Sequence, residues 1–298
     1  MRLSSITKQI ITGIFLIMVS LSSYGQYQPL VAQYYQNRYL SNAAMAGIEG
    51  GQVFNLSYRG QLNNVQGSPE NQLLTGSFRV RDKVGLGFQL SNATAGLLGS
   101  LGAKASYAYH LPLDGTNHSL HMGLSAGIQK DRIDQSGVDG ITTDPLIAQY
   151  NDRGIAFQGD VGLAYIHNKL SIQASLANLG SLLSNGVKQV GSPTYYGAIS
   201  YMLGEAKSVT VEPMVSVMGV ESGNTLLGLG ARAGMMEDKL QLTAYYHSNS
   251  TITAAVGYRV SDNFKFLGGY NVSGQQVQGY TNGSFELGLT IDLKKLAK

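Results

Sequence analysis

From Val84 the chain alternates, with Val84, Leu86, Phe88 and Leu90 on one parity and Gly85, Gly87, Gln89 and Ser91 on the other. A repeat of two marks a β-strand with one apolar face. The pattern returns through 101–112, 120–129, 251–260 and 285–292. It predicts fourteen strands, near 51–60, 71–81, 83–93, 100–112, 118–130, 154–167, 169–178, 193–203, 207–218, 224–235, 238–247, 250–261, 263–272 and 283–293. Within these segments the charges gather on the polar parity: Arg59, Arg79, Lys104, Asp160, Glu212, Arg232, Arg259, Lys265, Glu286 and Asp292. An Arg or Lys facing lipid at mid-bilayer costs about 2–4 kcal/mol, whereas a wet lumen tolerates it. The expected fold class is therefore all-β: a transmembrane antiparallel β-barrel of about 14 strands occupying 51–298. A soluble sandwich is the competing reading, and it would carry a more densely charged exterior.

The connections agree with a barrel. Alternate joints are tight, as at Asp82-Lys83, Asn168 and Ser261-Asp262, while 60–70, 131–153, 179–192 and 273–282 run longer. Short periplasmic turns facing long external loops are the outer-membrane arrangement and would place both termini in the periplasm. Tyr58, Tyr107, Tyr109, Tyr165, Tyr195, Tyr201, Tyr246, Tyr258 and Tyr270 share the apolar parity, where an amphipathic ring suits the headgroup boundary.

Two segments precede the first strand. Arg2 and Lys8, the apolar run Ile10 to Leu21 and the small residues of Ser23-Tyr24-Gly25 read as a signal peptide over 1–25, too short to span a core of about 30 Å as a helix. Residues 26–50 lack sustained alternation and are expected to form a plug-like segment entering the lumen, with a periplasmic arm as the alternative.

Composition narrows the function. Charged residues make up 13% of the 298 positions, against about 25% in a typical soluble domain. Removing Arg2 and Lys8 with the leader lowers the formal charge from +3 to +1, a balance that recruits no nucleic acid. The absence of cysteine removes disulfides, thiolate metal sites and cysteine nucleophiles. His110, His118, His121, His167 and His247 include no His-Glu-x-x-His, and His118 and His121 should face opposite ways in a strand. Gly228 to Gly234 mimics a phosphate loop inside a strand, where glycines serve packing. No enzyme, cofactor or metal is expected.

Several short elements, in order along the chain, resemble the PorP/SprF family of Bacteroidetes outer-membrane proteins. They are Gln33-Tyr34, the Asn-x-Ala-x-x-Gly element Asn42–Gly47, Tyr58-Arg59-Gly60-Gln61, Gly85-Leu86-Gly87, Tyr107-Ala108-Tyr109 and Gly283-Ser284-Phe285-Glu286. The sequence departs from the family pattern at Ala43, commonly Pro, and at Leu62, often aromatic. The resemblance implies an accessory barrel of the type IX secretion system, with gliding motility a role of some members. It also implies as partners a large secreted cell-surface adhesin or its C-terminal domain, other secretion components and outer-membrane lipid. From the physics alone, the alternative is a passive or substrate-specific channel of the fatty-acid-transporter type.

Two sets of residues are candidates for function. External loops offer Arg132, Asp134, Asp139, Asp144, Tyr150 and Arg153, and then Gln276 and Tyr280, with Tyr and Arg as expected partner anchors. In the lumen, Arg59, Arg79, Arg232 and Arg259 have Asp160, Glu212, Glu286 and Asp292 as expected partners in a charge network.

Overall fold

In the computed structural model, residues 31–61, 67–114, 117–134, 145–180, 193–205, 208–220, 225–272 and 283–293 are described. The expected signal peptide lies outside them. Fourteen antiparallel strands follow one another in chain order: β1 (Gln52–Gln61), β2 (Glu70–Arg81), β3 (Val84–Ala95), β4 (Leu98–Asp114), β5 (His118–Ile133), β6 (Ala156–His167), β7 (Leu170–Ala177), β8 (Thr194–Tyr201), β9 (Thr210–Val220), β10 (Thr225–Met235), β11 (Leu240–His247), β12 (Ile252–Arg259), β13 (Phe264–Val272) and β14 (Ser284–Asp292). β1 pairs with β14 from Val53↔Asp292 to Gln61↔Ser284, so the sheet closes and has no edge. In hydrocarbon only such closure satisfies the backbone of a sheet. A helix, α1 (Pro145–Asn151), stands in the β5–β6 connection. Among the described residues no helix is long and apolar enough to cross a membrane.

The alternation is realised as two surfaces. Leu101, Leu124, Leu163, Val215, Leu229 and Leu287 point outward and are exposed on the isolated barrel, and Asn55, Thr75, Ser106, Gln173, Ser216, Thr243 and Glu286 point inward and are buried. Outward charge does occur at strand ends, on Glu70 and Lys130, where a side chain reaches the polar boundary. Tyr201, Tyr246, Tyr258 and Tyr270 are exposed on the outward face. Placing a guanidinium in the middle of this belt, by Val215→Arg, is expected to cost about 2–4 kcal/mol. Urea titration of the barrel folded into lipid vesicles measures it, and an unchanged midpoint would show that β9 does not face lipid.

The described connections follow the rule of alternating length only in part, since Ala95 to Leu98 and His247 to Ile252 are short joints on the loop side. Arg81 to Val84, His167 to Leu170 and Met235 to Leu240 are tight joints at the rim where β1 begins and β14 ends, the turn rim. The long β5–β6 connection with α1 stands at the opposite loop rim. Inside β10, Gly228 and Gly230 have no side chains to collide with the ring of Tyr245, so these glycines seat an inward tyrosine.

Candidate functional site

The lumen is occupied by residues 31–50. This stretch has three short 3-10 turns, Val31–Gln33, Arg38–Leu40 and Ala43–Met45, and no residue pattern for a longer element. Asn42 caps the third turn: its Oδ1 accepts the Ala44 N–H at 2.9 Å. Ala43 takes the first position of that turn, where a proline is tolerated because its N–H is not needed. The departure from the family pattern at Ala43 thus leaves the turn intact. Leu62, the other departure, lies outside the described residues.

The segment touches the inner wall around its circumference. Ala32 faces β13 at Gly269. Tyr34 packs on Tyr196 of β8 and edge-on against Tyr245 of β11, with ring centroids 5.8 and 6.0 Å apart. Tyr35 donates to the Glu212 carbonyl on β9, Gln36 to Thr290 on β14 and Asn37 to Thr75 on β2. The Tyr39 hydroxyl meets Ser106 of β4 at 2.7 Å, and burial pushes it up to about 12, so it stays neutral. Gln33 and Ala44 to Ala46 are 0% exposed. The segment is held by apolar packing, with Tyr34, Tyr35, Tyr39 and Met45 in buried clusters against the wall, and by the wall partners of Tyr35, Gln36, Asn37 and Tyr39, which offset the cost of burying those groups.

Its firmest seat is on β3, β5, β6 and β7. The Asn42 Nδ2 donates to the Leu163 carbonyl at 2.9 Å and to that of Ala174 at 3.4 Å, and Ser175 donates to the Ser41 carbonyl at 2.6 Å. Close approach is possible only because the facing residues are glycines. A Cβ on Gly85 would overlap the Ala46 carbonyl oxygen, one on Gly123 the Ala44 nitrogen, and one on Gly162 the Asn42 Oδ1. At the exit, Gly47 has a φ of +72°, its N–H donates to Ser77, and Arg79 donates to the carbonyls of Gly47 and Ile48.

A relay of imidazoles stands beside this seat. His110 Nε2 lies 3.0 Å from the Ala46 carbonyl, which can only accept, so Nε2 carries the proton. Its Nδ1 then accepts from His121 Nδ1 at 2.6 Å, and His121 Nε2 accepts from Ser119 at 2.8 Å. The tautomers are assigned from this network. The sequence places His118 and His121 on opposite faces; His121 is inward, and it pairs in register with His110.

Of the expected lumen network, the structure brings some members together. Glu212 takes Arg38 of the lumen segment at 2.6 Å and Arg232 at 3.4 Å, and it accepts from Ser200 at 2.9 Å. Arg232 also holds Asp238 in the β10–β11 turn at 3.1 Å. Asp160 pairs with Lys104 at 3.0 Å rather than with an arginine. Arg59 lies opposite Glu286 in register and donates to Ser284, while Asn271 donates to Glu286 at 2.9 Å. Arg79 spends its donors on backbone carbonyls, Arg259 faces Lys265 across β12–β13, and Asp292 ends β14 opposite Val53. Arg38 and Asp238 are contributors the periodicity does not assign: Arg38 lies in no strand, and Asp238, the first residue of the stretch 238–247 read as a strand, stands in the turn before β11.

At the loop rim, Arg132 lies near the end of β5 and Asp134 just beyond it, where the Asp134 N–H donates to the Leu97 carbonyl. Asn151 ties α1 down by bonding both the N–H and the carbonyl of Ile133, at 2.7 and 3.0 Å. Arg153 stacks over Tyr150, 4.6 Å from its centroid. No residue of α1 is buried. Asp139, Asp144, Gln276 and Tyr280 lie outside the described residues. Among the described residues no cluster of three or more His, Cys, Asp or Glu is set to hold a metal ion.

A closed fourteen-stranded antiparallel sheet with an apolar belt outside and polar walls inside defines a β-barrel of the outer-membrane class. The family described as type IX secretion system membrane protein PorP/SprF matches residues 23–291, and the chain belongs to that family. None of the curated protein sequences matches it. Among solved structures it is similar to the toluene transporter TbuX of Ralstonia pickettii, with a TM-score of 0.53 and 11% identity over 84% of this chain and 91% of that one. It is also similar to the outer membrane protein Omp33 of Acinetobacter baumannii, with a TM-score of 0.48 and 8% identity over 80% and 97%. At these identities the likeness concerns the fold alone.

Proposed function

We propose that this protein is an accessory outer-membrane barrel of type IX secretion that helps export a large cell-surface adhesin, or anchors it through its C-terminal domain, and that it does so without conducting solutes. In this reading residues 1–25 are a cleaved leader, 26–50 form a resident plug, the loop rim faces outward to the cargo and the turn rim faces other secretion components in the periplasm. Gliding is the cellular role that such an adhesin would serve.

The observation that carries the reading is the filled lumen. Residues 32–37 and 42–47 are almost wholly buried against the inner wall, held by bonds to strands on opposite sides of the barrel. A scaffold for loops can be sealed in this way, whereas a solute channel requires the segment to move. Arg132, Asp134, Tyr150 and Arg153, with Asp139, Asp144, Gln276 and Tyr280, supply the polar and aromatic anchors of the loop side. Two measurements test the proposal. In a planar bilayer the purified barrel is expected to stay silent. Deleting 134–150 and joining the ends with a glycine linker is expected to release the adhesin into the medium while the barrel still folds. A steady open-pore current, or adhesin retained at the surface by the deleted form, sinks it.

A further inference from the structure

The outward face of the barrel carries an apolar groove of about 620 Å³ across β4 to β8, walled by Tyr107, Met122, Leu124, Leu163, Leu176 and Tyr195. The groove exists because Ala174 is a small outward residue beside Leu163, its partner in register, and because the backbone at Gly123 and Gly162 forms part of the floor. Its volume falls within the range of about 300–1,000 Å³ typical of ligand pockets.

The geometry points to a binding site for one acyl chain of a bilayer lipid. The groove is continuous with the outward belt of Leu101, Ile128, Leu163 and Ile199, so what reaches it comes from the hydrocarbon. Association there draws on packing rather than on escape from water, and an unfilled concavity forfeits contacts that a flat wall does not offer. A single flexible chain can follow the groove where a rigid side-chain ridge cannot. The groove is also preformed, since the same stretch of wall is clamped from within. Asn42 bonds the carbonyls of Leu163 and Ala174, Ser175 bonds Ser41, and the Ala44 backbone presses on Gly123. A chain seated outside and the lumen segment seated inside therefore share one sheet's thickness of backbone.

The chain contains no tryptophan, which permits a clean test. Leu124 on the groove wall and Leu229 on the far side of the barrel are both outward and 60% exposed. Each stands six residues from the turn-rim end of its strand, at His118 and Met235 respectively. Single-tryptophan variants Leu124→Trp and Leu229→Trp are reconstituted in dioleoylphosphatidylcholine vesicles containing rising fractions of the dibrominated lipid. The groove variant is expected to reach half-quenching at a lower brominated fraction than the control. Adding Ala174→Phe, or Ala174→Leu should the larger side chain block folding, is expected to abolish that shift. Heat-modifiable migration on gels reports that each barrel has folded. Superimposable quenching curves for the two positions, or a shift that survives filling of the groove, would overturn the assignment.

Discussion

Gly123→Val is expected to convert a silent barrel into a conducting one. The added side chain would overlap the backbone of Ala43 and Ala44, which has no rotamer to change. Overpacking of this kind costs about 1–3 kcal/mol. The strand itself tolerates a β-branched residue well, so the strain falls on the lumen segment rather than on the β4–β5–β6 ladder. The expected result is displacement of residues 42–47 and discrete current steps in a planar bilayer, with heat-modifiable migration on gels retained. Gly268 supplies the control, since a Cβ there meets nothing within 4 Å. Gly268→Val should fold and stay silent. A folded Gly123→Val barrel that passes no current would mean that the segment around Ala44 does not seal the lumen.

The second large effect is expected at Glu212, which is 3% exposed and holds both Arg38 and Arg232. Removing one partner of a buried ion pair leaves the other charge uncompensated, at a typical cost of about 3–5 kcal/mol. Glu212→Ala should fall at the lower end of that range, because Arg232 keeps Asp238 and Arg38 is partly exposed. A lowered urea midpoint in vesicles is the expected reading. Combining it with Arg38→Met should recover part of the loss, as the stranded cation is then gone. If the double variant is no more stable than Glu212→Ala, the Arg38 contact contributes nothing to the hold on the lumen segment.

Much of this architecture is legible in the chain because the strand repeat of two is so short. Leu86, Leu101 and Leu124 declare their face within a few residues, and the tight joints around Asp82, Asn168 and Ser261 set the strand count. The His110–His121 pair was accessible by counting back from the β4–β5 turn, although the bulge between Pro112 and Asp114 shifts the register there. What periodicity does not give is the partner of an inward residue beyond the neighbouring strand. Lys104 finds Asp160 two strands away, and Arg38 finds Glu212 across the lumen. The seat of the lumen segment was equally hidden. Gly85, Gly123 and Gly162 read as ordinary inward small residues until Asn42 to Ala46 lies against them. Glycines occur on both parities, with Gly159 outward and Gly162 inward in β6, so their placement alone gave no sign that another backbone comes close.

The seam between β1 and β14 has a consequence for assembly. It joins Val53 to Asp292, on the first and last strands, so the sequence separation at this row is the largest of any strand pair. Loop-closure entropy must be met there before any ladder bond repays it, which makes zipping of the first strand to the last the expected slow step of biogenesis. A nascent polypeptide lacking its final hairpin would present β1 as an unpaired ribbon, a state that hydrocarbon rejects. Closure of the sheet is thereby coupled to insertion.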